Sequence, residues 1–388
     1  MKGYTNKTVI ESLDLPLMET FDDLVRCLRL SERLVYWLAS SDLNRYQIFR
    51  IPKSSGGFRI IHAPVYSLKT VQRWILEDIL YKIRLSPFSF GFCVDGKGSP
   101  LVRVAERHKN NLYVLKIDIK DFYPSISREK VYNQFVNIGY NSCIASLLTN
   151  LCITDSCLHQ GAVTSAYLAN IVCRNLDYRI AGYCNRRDIV YTRYADDLTF
   201  SCDNRDALKK AHGMVKKILL SEGFSINSKK TMFLSPKVQK RVLGITINDN
   251  SIKAPKELKR LVRSMIYNSF LTKDYSCNNR IKGYIAYIDS IEPNYISKIK
   301  KYIESLYSSE YTLFNEIVDA FNKNKFYSDL PEMKTHRFTD LFKGANCNEE
   351  EWISAIYANY QCFLTSHGIV PDVVCESTPC ESTPDDPF

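Results

Sequence analysis

Apolar residues along this chain switch between helical spacing and strand-like runs. Leu24, Leu28, Leu34, Trp37 and Leu38 form one face over residues 20–40. Thr20 ahead of Asp22-Asp23, and Ser31 ahead of Glu32, are N-terminal signals, so two short helices are predicted there. Between Tyr46 and Ile61 the pattern changes to YQIFRIP, then KSSGG, then FRII, which predicts a hairpin. Ala63-Pro64 ends its second strand, and Ser67 begins a helix with Val71, Trp74, Ile75 and Ile79 on its buried side. Leu112–Ile119 (LYVLKIDI) and both flanks of Ile189–Ser201 (IVYTRYADDLTFS) read as strands, because they are rich in β-branched and aromatic residues. Further helices are predicted from Thr164-Ser165 to about Ile180, over Pro255–Leu271, and over Arg280–Ser308.

Two of these strands carry acids where apolar residues would be expected. Asp196 and Asp197 are adjacent, and a regular strand would send one of them into the core. A tight turn at Tyr194–Asp197 instead presents both at one tip. Paired carboxylates repel unless a cation lies between them, and an all-oxygen cluster suits Mg²⁺ or Mn²⁺; a solvated turn explains the same residues. Asp118 sits among apolar neighbours, and an ionised carboxylate there needs a partner. That partner is either a lysine such as Lys116 or Lys120, or a metal shared with the acids at 196 and 197. Lys53 and Arg59 flank a glycine-containing turn where backbone can approach a triphosphate closely. Gln160-Gly161 precedes a run of small residues against which another backbone or a nucleotide can lie.

Charge and composition change this picture only modestly. The net charge is +10, but the last 18 residues hold five acids and no base, which leaves +15 on residues 1–370. With 25 Tyr and 19 Phe among those bases, a nucleic-acid partner is expected. Thirteen cysteines lack framework spacing and are expected as reduced thiols. Cys152, Cys157 and His159 are the nearest approach to a zinc cluster, but they lack a second paired motif, so zinc is not expected there. No run of about 18 apolar residues occurs, so a soluble, cytoplasmic protein without membrane contact is expected. Residues 371–388 repeat CESTP and are predicted to be disordered.

The ordered set IPKSSGGFRIIHAP, GFCVDGKGS, LKIDIKDFYPSI, HQGAVTSAYLAN, YTRYADDLTFS, GFSINSKKT and VLGITIN resembles the bacterial retron-type reverse transcriptases. The resemblance implies an α+β right-hand polymerase fold whose antiparallel palm sheet carries the YADD hairpin. It divides the chain into N-terminal helices and fingers (1–110), palm (111–250, with a fingers segment at about 125–160) and thumb (251–310). A helical extension of unassigned role (311–370) precedes the acidic tail. Asp118, Asp196 and Asp197 match the family's catalytic, metal-holding aspartates. Lys53, Arg59, Tyr123, Gln160, Gly161 and Lys230 match its nucleotide-binding positions. RNA-directed DNA synthesis with Mg²⁺ and dNTPs is thereby implied, on a partner non-coding RNA whose cDNA stays bound. A separate effector protein would complete an anti-phage system.

Two segments depart from the retron pattern. Val104-Ala105-Glu106-Arg107-His108 replaces the usual Asn-Ala-x-x-His, and Val242-Leu243-Gly244 replaces Val-Thr-Gly. A defence-associated reverse transcriptase of another type is therefore the alternative. A polymerase-shaped RNA-binding scaffold is the rival from a different class, against which the intact acid triad argues.

Overall fold

The helical pair forms where its signals place it. In the computed structural model, α2 (Phe21–Leu28) begins with a reciprocal cap: the Thr20 side chain accepts from Asp23 N, and Asp23 accepts from the Thr20 backbone N at 2.9 Å. Ser31 caps α3 (Glu32–Ala39) from one side only, its hydroxyl accepting from Leu34 N, and a short α1 (Lys7–Ser12) precedes both. The structure describes residues 4–40, 45–53, 56–93, 96–272, 274 and 276–307. The segments at 311–370 and 371–388 lie outside these residues. The chain divides into two compact units, residues 1–251 and a second beginning at Ile252.

In the first unit the predicted hairpin pairs β1 (Tyr46–Pro52) with β2 (Phe58–Pro64), from Tyr46 opposite Pro64 to Pro52 opposite Phe58. The helix after it, α4 (Tyr66–Trp74), continues through a π-helical turn and a 3₁₀ turn to Lys82, burying Val71, Ile75 and Ile79. Next come α5 (Pro100–His108) and β3 (Tyr113–Lys120), followed by α6 (Arg128–Ile138) and α7 (Ser142–Cys152).

The single helix expected from Thr164 to Ile180 is two helices, α8 (Ser165–Val172) and α9 (Arg174–Asn185). Cys173, with ψ near 1°, separates them. A five-stranded antiparallel sheet then assembles from β3, β4 (Val190–Tyr194), β5 (Asp197–Cys202), β6 (Ser225–Ile226) and β7 (Met232–Leu234). Its order is β4-β5-β3-β6, with β7 also pairing β3. Helix α9 packs against β4, and α10 (Arg205–Ser221) against β3, β5 and β6.

Alternation gives this sheet two unlike faces. Leu115, Ile117, Ile119, Tyr191, Leu198 and Phe200 enter the core, while Lys116, Asp118, Asp197, Thr199 and Ser201 take the opposite side. A last small hairpin joins β8 (Arg241–Val242) to β9 (Ile245–Thr246) through Leu243 and Gly244, both left-handed at φ +47° and +84°.

The second unit holds α11 (Lys256–Thr272), α12 (Asn278–Ile291) and α13 (Tyr295–Tyr307). The run expected as one helix over Arg280–Ser308 is thus broken in two. Pro293 explains the break, because a residue before proline avoids helical geometry, and Asn294 then turns left-handed at φ +69°. None of the described helices is long and apolar enough to cross a membrane.

Candidate active site

The turn between β4 and β5 is two residues long. Tyr194 pairs with Asp197, and Ala195 takes a left-handed φ of +54°. Gly91 makes room for it: a Cβ there would stand 2.9 Å from Ala195 N. The Asp196 carbonyl accepts from Ile119 N at 2.9 Å, which ties the tip to β3. Across the sheet Asp118 lies directly opposite Asp197, so register alone puts two carboxylates side by side on one face. Asp196 sits beside them on the turn, and its charge and that of Asp118 act on each other.

Asp118 is buried, yet its partner is neither Lys116 nor Lys120. Lys230 Nζ donates to Oδ2 at 2.8 Å, and Asn227 Nδ2 donates to Oδ1 at 2.9 Å. Asn227 N also donates to the Asp118 carbonyl, so the segment after β6 is held on the acid-bearing strand. Bonding to Asp118 raises the Lys230 pKa. Burial raises the pKa of Asp196, with Asp118 adding to the effect. Burial raises that of Asp197 too, with Asp196 next, and Lys116 opposes the shift. The three side chains offer oxygen donors alone, which suits a hard divalent cation, although their oxygens do not all stand within 4.8 Å of one another.

Beneath the turn lies a network that sequence inspection missed. The acids look free of basic neighbours, but Arg193 is three residues before Asp196 and fully buried on the core face. It forks onto Asp177 of α9, Nε to Oδ1 and Nη2 to Oδ2, both at 2.8 Å. The Tyr191 hydroxyl donates to the same Oδ1 at 2.8 Å. Arg193 Nη1 donates to Asn170 Oδ1 at 2.9 Å and to the Ala195 carbonyl at 3.3 Å. Asn170 in turn donates to the Gly91 carbonyl at 2.7 Å. A buried Arg in a strand that otherwise alternates normally is the signal that could have revealed it.

The other expected site residues fall at different distances from this tip. Tyr123 is half-buried; burial lifts its hydroxyl to about 12, and the Asp196 charge adds to that. Its neighbour Phe122 is buried against Phe224, so Tyr123 is the ring nearer the acids. Arg59 is exposed on β2, with its charge acting on both Tyr123 and Asp196. Lys53 is exposed at the hairpin turn, where its N–H donates to the Gly57 carbonyl at 3.0 Å.

Gly161 meets backbone. A Cβ at this glycine, whose φ is +113°, would lie 2.6 Å from the His62 carbonyl oxygen of β2. Beside it, the Gln160 carbonyl accepts from His62 N at 2.8 Å.

The departing segments are also structural. His108 is fully buried, its Nδ1 2.7 Å from Ser201 Oγ and its Nε2 2.8 Å from Thr192 Oγ1, locking α5 onto β4 and β5. Burial pushes this imidazole down to about 3, so it stays neutral.

Residues 51–247 match the protein family described as reverse transcriptase (RNA-dependent DNA polymerase). The chain is 36% identical over 307 residues to the retron Ec86 reverse transcriptase of Escherichia coli, covering 77% of this chain and 95% of that one. It is 31% identical to the retron Mx65 reverse transcriptase of Myxococcus xanthus, over 74% of this chain and 72% of that one. The retron Ec83 reverse transcriptase of Escherichia coli is 31% identical over 70% of this chain and 91% of its own length.

Proposed function

Because the chain belongs to the retron-type reverse transcriptases and is an RNA-directed DNA polymerase, we propose that Asp118, Asp196 and Asp197 are where it joins deoxynucleotides to a primer. The observation that carries this reading is the cross-strand register of Asp118 with Asp197, with Asp196 on the adjoining turn. A scaffold that only bound RNA would have no use for a cluster of acids in which burial, and then neighbouring acid charge, raises the pKa of Asp196 and Asp197.

The three aspartates would hold Mg²⁺, with Mn²⁺ as the alternative. When bound, such ions neutralise phosphate charge and favour the ionised primer hydroxyl. The remaining work falls to the chain itself. The Arg193 network fixes the turn from below, so the acids keep their spacing while a primer and nucleotide come and go. Arg59 and Lys53 on the hairpin meet the triphosphate. Lys230, exposed apart from its bond to Asp118, is placed to exchange that carboxylate for a phosphate oxygen. Tyr123 lies against the sugar. Gln160 and Gly161 hold the base of β2, and so the position of Arg59 relative to the turn.

The template and primer would be a structured non-coding RNA whose cDNA stays with the enzyme, which the positive charge of residues 1–370 favours. A separate effector would turn that complex into an anti-phage system. Asp196→Asn tests the catalytic assignment, because it keeps shape and removes charge. Primer extension on the co-purifying RNA should fall on the order of a thousandfold while RNA binding persists. Near-normal synthesis would remove Asp196 from the reaction.

A further inference from the structure

Among the described residues, the group of three donor side chains whose atoms lie within 4.8 Å of one another is not the aspartates but His62, Asp155 and His159. His62 belongs to β2, and the other two to the loop between α7 and α8. The imidazoles stack with centroids 3.9 Å apart. Asp155 Oδ2 is 3.6 Å from His159 Nε2 and 4.0 Å from His62 Nδ1. Cys157 Sγ lies 3.3 Å from the same His159 Nε2.

His62 is 7% exposed, and its Nδ1 is buried with no hydrogen-bond partner. Leaving a buried ring nitrogen unsatisfied is costly, so such an atom calls for an occupant. The cysteine differs from the zinc set considered from sequence. Cys152 is fully buried, whereas Cys157 is the thiol that reaches His159.

We propose that His62, His159, Asp155 and Cys157 bind a divalent transition-metal ion of the zinc class, which clips the base of the β1–β2 hairpin to the 155–159 loop. The donor set is two nitrogens, one oxygen and one sulfur, which zinc takes in tetrahedral sites. With bonds of about 2.0–2.3 Å, tetrahedral donors stand about 3.3–3.8 Å apart, so the observed 3.3, 3.6 and 4.0 Å need only small adjustment, while Cys157, outside the 4.8 Å group, must turn its thiol toward His62 and Asp155. Asp155 is exposed, which gives the ion a way in. The hairpin also carries Lys53 and Arg59, so the ion would stiffen the element that bears them.

Cobalt(II) titration of the full-length protein in excess Mg²⁺ tests this site without any activity readout. One Co²⁺ per chain should bind with strong visible tetrahedral bands and a near-ultraviolet thiolate-to-cobalt band, and Zn²⁺ should displace it. Cys157→Ser should abolish the near-ultraviolet band. Asp155→Asn, at an exposed position that does not threaten folding, should weaken binding about tenfold or more. Asp196→Asn should leave both bands intact. His62→Asn should abolish tight binding; if it fails to fold, the Cys157 and Asp155 variants still decide. Absence of the bands in the wild type, their persistence in Cys157→Ser, unchanged affinity in Asp155→Asn, or their loss in Asp196→Asn would overturn the proposal.

Discussion

Replacing Asp177 by Asn tests whether the buried pair under the turn holds the acid-bearing tip in place. Asp177 and Arg193 are both 0% exposed, and Arg193 spends three of its donor bonds on Asp177 and Asn170. Asp177→Asn removes the charge but nearly preserves volume, leaving an uncompensated guanidinium in the core. Breaking one side of a buried pair costs about 3–5 kcal/mol. For a unit of roughly 250 residues, each kcal/mol moves the midpoint about 2–4 °C, so Tm should drop by about 6–20 °C.

The double replacement Asp177→Leu with Arg193→Met separates ion-pair loss from charge burial. Swapping a whole buried pair for apolar side chains is often neutral or stabilising, so the double variant should be more stable than Asp177→Asn. It should nevertheless extend primers poorly, because Arg193 no longer donates to the Ala195 carbonyl at the turn. Differential scanning calorimetry and primer extension on the same samples give both readings. A Tm within about 2 °C of wild type for Asp177→Asn, or a double variant less stable than the single one, would refute this account.

The other predictions concern single residues and the tail. Tyr123→Ala should accept ribonucleotides far better with a smaller loss of dNTP use, measured as kcat/KM for paired substrates; an unchanged ratio would take Tyr123 off the sugar. Gly161→Ala should cost about 1–3 kcal/mol in urea unfolding, since its Cβ would press on the His62 carbonyl at a φ of +113°. Burial raises the Asp196 pKa, so metal-free stability is lost as pH rises through it, while below the ordinary aspartate value of 3.8 no penalty remains. Metal-free Asp196→Asn should therefore melt above wild type at neutral pH and converge with it near pH 4, as thermal scans in chelator would show. Deleting 371–388 removes five acids and no evident core, so folding and primer extension should survive; aggregation of the truncated protein would count against the disorder reading.

Local signals made much of the fold legible. Thr20 and Ser31 announced α2 and α3, and the β1–β2 hairpin formed around KSSGG. What failed was continuity over long helical runs. The break at Pro293 was readable from the proline alone, but the one at Cys173 carries no propensity signal. The choice between a nucleotide and a backbone beside Gly161 also depended on tertiary contact. Only the approach of β2 shows that the glycine is needed for the His62 carbonyl.

The candidate site was legible for one reason and its support illegible for a related one. Asp118 and Asp197 are conspicuous because they occupy strands whose other face is apolar, and period-two alternation then forces them to the same side once β3 and β5 pair. The same alternation places Arg193 on the opposite side, against Asp177 from a helix that ends before β4 begins. Nothing local links those two residues, because their approach depends on α9 packing beneath the sheet. A one-residue slip in β4 would turn Arg193 outward toward the acids, where it would neutralise them, and would leave Asp177 charged in the core. The buried pair therefore does more than support the turn. It penalises the wrong register, and in doing so keeps the upper face acidic and open to a cation.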